Sequence, residues 1–220
     1  MKKYNLSQSH KVTKSQVFFL VLLCSCALVL EGCAKREIKN IDSKGTNIIC
    51  FGDSITWGYG AAPGEDFPSA LAKLIDIPVI NAGIDGDVSS EGLKRLDSDV
   101  LDREPLLVII EFGGNDFLRK IPGELTLNNI KEMVEKIQAK GAMVAIADVS
   151  AGPFLKEYRV AFQKITKEEG VIFIPSILSG IVTNSHLKSD FIHPNAEGYK
   201  LIAQKVYLAI KPYLKDSVPK

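Results

Sequence analysis

Strand-like and helix-like stretches alternate along most of this chain. Five short apolar runs, rich in β-branched residues, are each followed by a segment with helical apolar spacing. The predicted strands comprise residues 47–50, 77–82, 106–112, 142–147 and 171–174, and the predicted helices comprise residues 67–75, 89–101, 127–139, 155–169 and 195–214. Short connections between such units favour parallel strands with helices on both faces. We therefore predict an α/β protein, a three-layer α/β/α sandwich around a five-stranded, doubly wound parallel sheet.

Composition is consistent with one domain of this kind. The chain has 220 residues, of which 46% are hydrophobic, enough for a sizeable core. The third predicted strand is apolar except for Glu111, as expected for a strand covered on both faces. The net charge is +1 and no basic stripe is present, so nucleic acid is excluded as the expected partner.

The first 32 residues are predicted to be a targeting segment and not part of the fold. A Lys-bearing start precedes an apolar run over residues 17–30, which ends at Leu30-Glu31-Gly32-Cys33. This pattern resembles a bacterial lipoprotein signal, although Glu31 departs from the small or apolar residue usual there. The resemblance implies cleavage before Cys33, acylation of Cys33, and an exported protein anchored to the periplasmic or cell-surface face of a bacterial membrane. A plain signal peptide, an uncleaved anchor, and Cys26 as the lipidated residue are the alternatives.

Residues 33–46 are predicted to form a polar tether, and residues 47–220 the folded domain. Cys50 is the one cysteine within that domain, and its strand context predicts that it is buried. A single thiol makes no internal disulfide, and no cysteine pair has the spacing of metal ligands.

Four polar loops follow predicted strands or precede the last helix. They contain Gly52-Asp53-Ser54, residues 81–87, Gly113-Gly114-Asn115-Asp116, and Asp190-Phe191-Ile192-His193-Pro194-Asn195. In a parallel sheet all four open onto one rim, where ligands collect. Ser54 between glycines could serve as a nucleophile there. The alternative is that Asp53 or Ser54 only caps a helix and the glycines only form a turn.

A serine nucleophile needs a base, and the chain offers few. Of the three histidines, His10 lies in the leader and His186 lies in a polar stretch where solvation is expected. His193 precedes Pro194, which is predicted to occupy the first position of the last helix. Asp190 lies three residues earlier and could orient the imidazole ring, although a backbone carbonyl could do so instead.

In order and at ordinary separations, these four segments resemble the four sequence blocks of the SGNH (GDSL) hydrolases. The resemblance covers nearly all of residues 47–214, and the chain is similar to the arylesterase and thioesterase/lysophospholipase branch. It implies a flavodoxin-like SGNH fold, and an oxyanion hole formed by the Ser54 N–H, the Gly86 N–H and the Asn115 side-chain amide. The alternatives are an ordinary loop glycine at residue 86 and a turn residue at Asn115.

The aspartates beside these residues, Asp53, Asp87 and Asp116, raise the possibility of a Mg²⁺ site. Metallophosphoesterases need several histidines, and only two follow the leader, so we predict no metal and no cofactor. The aspartates are instead expected to join the loops by hydrogen bonds. The glycines form no Gly-x-Gly-x-x-Gly pattern, which argues against a dinucleotide site.

Apolar residues near the same rim are candidates for an acyl pocket: Trp57, Phe117, Leu118, Ile121, Phe154, Phe191 and Ile192. The predicted function is a serine hydrolase that cleaves small-molecule or lipid carboxylic esters or thioesters through Ser54, His193 and Asp190. The alternatives are a carbohydrate O-acetyl esterase on the same fold, a lipid-anchored binding module without activity, and a purely structural lipoprotein.

Overall fold

The computed structural model of the protein describes residues 37–150 and 155–214. The predicted leader, the predicted lipidation site Cys33, and Phe154 lie outside the described residues. Within those two ranges, no helix has both the length and the apolar character needed to cross a bilayer.

Five parallel strands form the central sheet: β1 Asn47–Gly52, β2 Val79–Gly83, β3 Pro105–Glu111, β4 Met143–Ala147 and β5 Ile172–Ile174. Their order is β2-β1-β3-β4-β5, and every neighbouring pair is parallel. The predicted sheet is therefore confirmed. The strand order reverses between β1 and β3, and a crevice outside their carboxyl ends is the expected ligand position in such a sheet.

Seven helices accompany the described strands: α1 Ser54–Trp57, α2 Phe67–Ala72, α3 Ser89–Asp99, α4 Gly114–Leu118, α5 Gly123–Ala139, α6 Lys156–Glu168 and α7 Ala196–Ile210. Short 3₁₀ helices occur at Leu101–Arg103, Ser185–Leu187 and Lys211–Tyr213. Alternate strand residues face opposite sides of the sheet. Ile48 and Cys50 pack with α2 and α7, whereas Ile49 and Phe51 pack with α3, α5 and α6. These two cores produce the three predicted layers, and Cys50 is buried as predicted.

The sequence pattern did not predict the short helices α1 and α4, because each is too short to have a helical period. Helix α1 forms because the Asp53 side chain accepts a hydrogen bond from the Ile55 N–H at 3.0 Å. It ends at Gly58, whose φ of 97° favours glycine. Asp53 therefore does cap a helix, and Ser54 is the first residue of that helix.

The predicted position of Pro194 is wrong. Helix α7 begins at Ala196, and Asn195 is its N-cap, with a side-chain oxygen that accepts from the N–H groups of Glu197 and Gly198, both at 3.1 Å. An asparagine oxygen satisfies two otherwise unpaired N–H groups, which proline cannot do. Pro194 instead pairs with Lys188 in an isolated antiparallel bridge.

The packed domain begins at Ile38, before the predicted boundary at residue 47. Ile38 is 4% exposed and belongs to the core under α2 and α7. The Asn40 side chain donates to the carbonyls of Gln138 and Ala142 at 2.9 and 3.0 Å. Residues 38–46, predicted as part of a tether, are therefore attached to the domain at the amino edge of the sheet.

Candidate active site

Ser54 lies at the carboxyl end of β1, in a tight turn into α1. The residue is 7% exposed, and its Oγ is 3.1 Å from Nε2 of His193. The turn lies directly against the end of β2, where a Cβ on Gly83 would collide with the backbone of Thr56 and Trp57. The close approach of these two segments fixes the position of the serine.

The loop that carries His193 is held by its own hydrogen bonds. One oxygen of Asp190, Oδ1, accepts from the N–H groups of Ile192 at 2.9 Å and His193 at 2.8 Å. The other, Oδ2, is 2.7 Å from His193 Nδ1. Desolvation acts to raise the pKa of Asp190, but the hydrogen bonds from His193 and Ile192 outweigh it and lower the pKa to about 2. Asp190 is therefore a carboxylate at neutral pH.

Tyr59 is a site residue that the sequence did not reveal. Its ring centroid lies 4.4 Å from that of His193, with a tilt of 39° between the planes. The His193 side chain is 14% exposed. The imidazole is thus covered by an aromatic ring on one side and joined to Asp190 at its Nδ1 edge, which leaves Nε2 facing Ser54.

Asn115 and Gly86 lie beside the same turn. The Asn115 amide donates to Asp53 Oδ2 at 3.2 Å and to the carbonyl of Asp87 at 3.0 Å. Gly86 has φ +80°, a conformation that favours glycine, and its carbonyl accepts from Arg119 at 2.6 Å. Among the described residues, no acceptor pairs with the N–H of Ser54 or of Gly86. These donors remain available to a bound group.

Asp53 and Asp116 connect separate loop regions, as predicted, whereas Asp87 binds the side chain of an arginine on α3. Asp53 binds the Asn115 amide, as described above. Asp87 pairs with Arg95 at 2.7 Å. The buried carboxylate of Asp116 accepts from the backbone and hydroxyl of Ser89 and from the Thr126 hydroxyl. Within the described ranges, no group of three or more His, Cys, Asp or Glu side chains is arranged to hold a metal ion.

A cavity of about 550 Å³ opens beside Ser54 and His193. Four of the predicted acyl-pocket residues line it: Phe117, Leu118, Phe191 and Ile192. Trp57 and Ile121 are not among its described lining residues, and Phe154 lies outside the described ranges. The lining also includes apolar residues that were not predicted: Ile55, Val149, Leu155, Leu178 and Val182. Three of them, Val149, Leu178 and Val182, follow β4 and β5 in segments whose irregular pattern gave no signal.

A family model for the GDSL-like lipase/acylhydrolase family matches residues 50–201, a range that contains Ser54, Gly86, Asn115, Asp190 and His193. The chain belongs to this family. Its membership confirms the resemblance found in the sequence and, at the level of the family, the prediction of an ester hydrolase.

Named relatives and solved structures agree with the family assignment. Esterase TesA of Pseudomonas aeruginosa is 28% identical over 86% of this chain and 99% of its own length. The arylesterase of Vibrio mimicus is 31% identical over 72% of this chain and 85% of its own. The crystal structure of the psychrotrophic esterase EstA from Pseudoalteromonas, inhibited by monoethylphosphonate, is 31% identical, with a TM-score of 0.70 over 78% of this chain and all of that one.

Proposed function

We propose that the protein is a serine esterase in which Ser54 attacks the carbonyl carbon of a carboxylic ester or thioester. One observation carries the proposal: Ser54 Oγ lies 3.1 Å from His193 Nε2, while Asp190 Oδ2 lies 2.7 Å from Nδ1 of the same ring. A serine hydroxyl is a weak nucleophile unless a neighbouring base removes its proton. A base that is itself oriented by a carboxylate meets that need.

In the proposed mechanism His193 accepts the Ser54 proton as Oγ bonds to the carbonyl carbon. Asp190 holds Nδ1–H and stabilises the imidazolium that forms. The imidazolium then donates its proton to the leaving alcohol or thiol, and the acyl group stays on Oγ. A water molecule gives a proton to His193, attacks the acyl carbon and releases the acid, after which Oγ recovers its proton.

The oxyanion formed during attack needs donors close to Ser54. The N–H groups of Ser54 and Gly86 have no other acceptor among the described residues, which supports their proposed role. The Asn115 amide is the third proposed donor, and both of its contacts are to acceptors, Asp53 and the Asp87 carbonyl. It must share or give up one of these to reach an oxyanion. Loss of one such donor typically costs about 10²–10³ in kcat.

The cavity supports an apolar acyl group as the preferred substrate. The lining beyond Ser54, Asn115 and His193 is mostly apolar, and its polar members are Asp53, Glu111, Thr183 and Lys188. The volume of about 550 Å³ falls in the range of ligand pockets. An acetyl group would leave most of that space unfilled, so the alternative of a carbohydrate O-acetyl esterase fits the cavity less well. The names of the two relatives, an esterase and an arylesterase, support the broader class. The proposed chemistry requires no metal or cofactor.

The decisive experiment replaces Ser54 with alanine and follows the hydrolysis of p-nitrophenyl esters of rising acyl length. We expect turnover to be abolished and thermal unfolding to be nearly unchanged. Ser98→Ala, which removes a hydroxyl that bonds only within α3, is the matched control and should keep full activity. A Ser54→Ala variant with wild-type turnover would refute the assignment.

A fluorophosphonate probe supplies a second, independent readout. The related EstA was inhibited by monoethylphosphonate, which supports an organophosphorus reagent as the probe. Wild-type protein should be labelled stoichiometrically at Ser54, and Ser54→Ala should not react. The binding-module alternative predicts an unreactive wild type. Faster hydrolysis of acetylated sugars than of all the esters with longer acyl chains would favour the O-acetyl esterase instead.

We also propose that the mature protein is exported and anchored through a lipid on Cys33. The support comes from the apolar run and the Leu-Glu-Gly-Cys sequence that ends it. In bacterial cells, Cys33→Ser should prevent lipid attachment and reduce the membrane-bound fraction, whereas Cys26→Ser should leave both unchanged. Unaltered lipid attachment in Cys33→Ser would exclude this site.

A further inference from the structure

Glu111 connects the central strand β3 to the nucleophile turn. The residue is fully buried at the end of β3, beside Gly52 at the end of β1. Its Oε2 accepts the Thr56 hydroxyl at 2.7 Å and the Asp53 N–H at 3.4 Å. These two donors lie on either side of Ser54 in the chain, so one carboxyl group constrains both ends of the turn.

Gly52 provides the space for this contact. A Cβ at residue 52 would lie 2.6 Å from Glu111 Oε2 and would also collide with the Thr56 hydroxyl. Any side chain at this position would push apart the two partners of the hydrogen bond. The glycine before Asp53 therefore serves the Glu111 contact as well as the turn.

The second oxygen of the same carboxyl group, Oε1, is buried and has no hydrogen-bond partner among the described residues. The ionisable groups near Glu111 are the Asp53 carboxyl, the Cys50 thiol on β1 and the Tyr199 phenol on α7, and none of them is a cation. His193 and Asp116 also interact electrostatically with Asp53. A buried carboxylate with one unpaired oxygen and an anionic neighbour is strongly disfavoured, whereas the protonated acid is not.

We propose that Glu111 is a positioning residue which holds the Ser54 turn as a neutral carboxylic acid and leaves Asp53 as the carboxylate that holds the Asn115 amide. The proposal rests on the roles assigned above to Ser54 and Asn115. Glu111 lies in the wall of the cavity, but its hydrogen bonds go to Thr56 and the Asp53 backbone and not to the reacting atoms of Ser54 or His193. It acts through Thr56 and the Asp53 backbone on the nucleophile.

The titration behaviour of the two neighbouring carboxyl groups, Glu111 and Asp53, is consistent with this assignment. Burial, followed by the negative charge of Asp53, raises the pKa of Glu111 well above its ordinary value. Burial also raises the pKa of Asp53, to about 6, against the lowering effect of the Ile55 N–H and of Glu111. Where Asp53 is ionised, the proton of the pair therefore resides on Glu111. More alkaline conditions ionise Glu111 beside Asp53, and repulsion between the two carboxylates loosens the turn.

The first test measures unfolding by urea as a function of pH for the wild type and Glu111→Gln. Above the ordinary carboxyl pKa the native wild type retains a proton that the unfolded chain has lost, so its unfolding constant rises with pH by up to about tenfold per unit. Glutamine cannot titrate. We expect the ratio of the wild-type to the variant unfolding constant to rise at least about tenfold between pH 5 and pH 8. A ratio independent of pH would overturn the proposal.

This unfolding experiment does not depend on catalysis. If Ser54→Ala retains activity while the ratio rises with pH, the proposed esterase mechanism is wrong, but the proposal that Glu111 is a neutral acid is supported. If Ser54→Ala is inactive and the ratio does not change with pH, the proposed esterase mechanism is supported, but the proposal that Glu111 is a neutral acid is wrong.

The second test concerns kcat. Glu111→Gln keeps a neutral group of the same shape and should retain kcat within about threefold at pH 7, without the alkaline decline expected of the wild type. Glu111→Ala and Thr56→Val should lower kcat at least about tenfold with little change in KM.

Gln138→Ala is the matched control for the removal of a buried polar side chain. Gln138 is also buried with one oxygen unpaired among the described residues, but its amide bonds to the Glu169 carbonyl away from the active site. It should lower the melting temperature and leave kcat unchanged. A Glu111→Gln variant as impaired as Glu111→Ala, or an alkaline decline that persists in it, would overturn the proposal.

Discussion

Replacement of Asp190 by asparagine tests how the imidazole is held. In the native loop Oδ1 of Asp190 accepts from the N–H groups of Ile192 and His193. The other terminal atom of the side chain, Oδ2, must therefore face His193 Nδ1. In Asp190→Asn the amide oxygen keeps the two backbone contacts and the NH₂ group faces Nδ1. That arrangement favours the tautomer with hydrogen on Nε2, which cannot accept the Ser54 proton.

The loss of charge and the wrong tautomer both reduce kcat. Two unit charges about 4 Å apart interact by about 1 kcal/mol in water and by about 4 kcal/mol at an effective dielectric constant of 20. The Asp190 side chain is 43% exposed and that of His193 is 14% exposed, so an intermediate value of about 2 kcal/mol applies, which is about 30-fold in kcat. With the tautomer effect added, we expect a total loss between about 10² and 10⁴.

The assay is the hydrolysis of a p-nitrophenyl ester at pH 7–9, with thermal unfolding measured in parallel. Asp190 has a folded pKa of about 2, below its ordinary value, so its contribution to stability is complete above about pH 5 and is lost only as the pH falls towards 2. Its charge is therefore constant throughout the assay. Because the backbone contacts of the loop survive in Asp190→Asn, the variant loses only the part of that stability which depends on the charge, and it should remain folded under the assay conditions. A loss of kcat below about fivefold would refute the role of the carboxylate.

Three further predictions concern the cavity, the loops and the last helix. Val182→Trp should fill the cavity and reduce the preference for octanoyl over butyryl esters at least about tenfold in kcat/KM, whereas Val160→Trp, at an exposed position on α6, should not change it. Arg95 donates to the carbonyls of Gly52 and Ala82 and pairs with Asp87 and Asp99. Because Arg95→Met leaves these acceptors without their partner, it should lower the free energy of unfolding, measured in urea, by about 3–5 kcal/mol. The control Arg103→Met, at an exposed partner of the same Asp99, should cost less than about 1 kcal/mol. Asn195→Ala should cost about 1 kcal/mol by the same assay because α7 loses its cap.

The alternation of strand and helix was sufficient to predict the layers, the parallel sheet and the rim on which the site lies. That success has a simple cause, since buried parallel strands are continuous apolar runs and covering helices have a strong 3.6-residue period. Element boundaries were less accurate. Helix α5 begins at Gly123, before the predicted start at residue 127, and α7 begins after Pro194 and not at it. These ends are set by side-chain caps and backbone hydrogen bonds, which leave little trace in hydrophobic periodicity.

Only part of the site could be predicted from the sequence. Ser54, Asp190 and His193 were predicted as a group, and the structure brings their side chains into contact. Tyr59, Leu178 and Val182 were not predicted, because an aromatic or aliphatic residue in a loop looks the same whether it packs in a core or lines a cavity. Glu111 was noticeable in the sequence as the one charged residue in a predicted apolar strand, but the pattern alone did not indicate its structural role.

The sequence by itself determined which chemical groups are present and which edge of the sheet carries them, because alternating strands and helices make a parallel sheet whose strand-to-helix loops all lie at one edge. Only the tertiary structure decided the distances between groups far apart in the chain: the 3.1 Å from Ser54 to His193, the contact of Glu111 with Thr56, and the cavity beside them. Such distances arise from the packing of whole layers, in which every residue contributes and no single motif records the result.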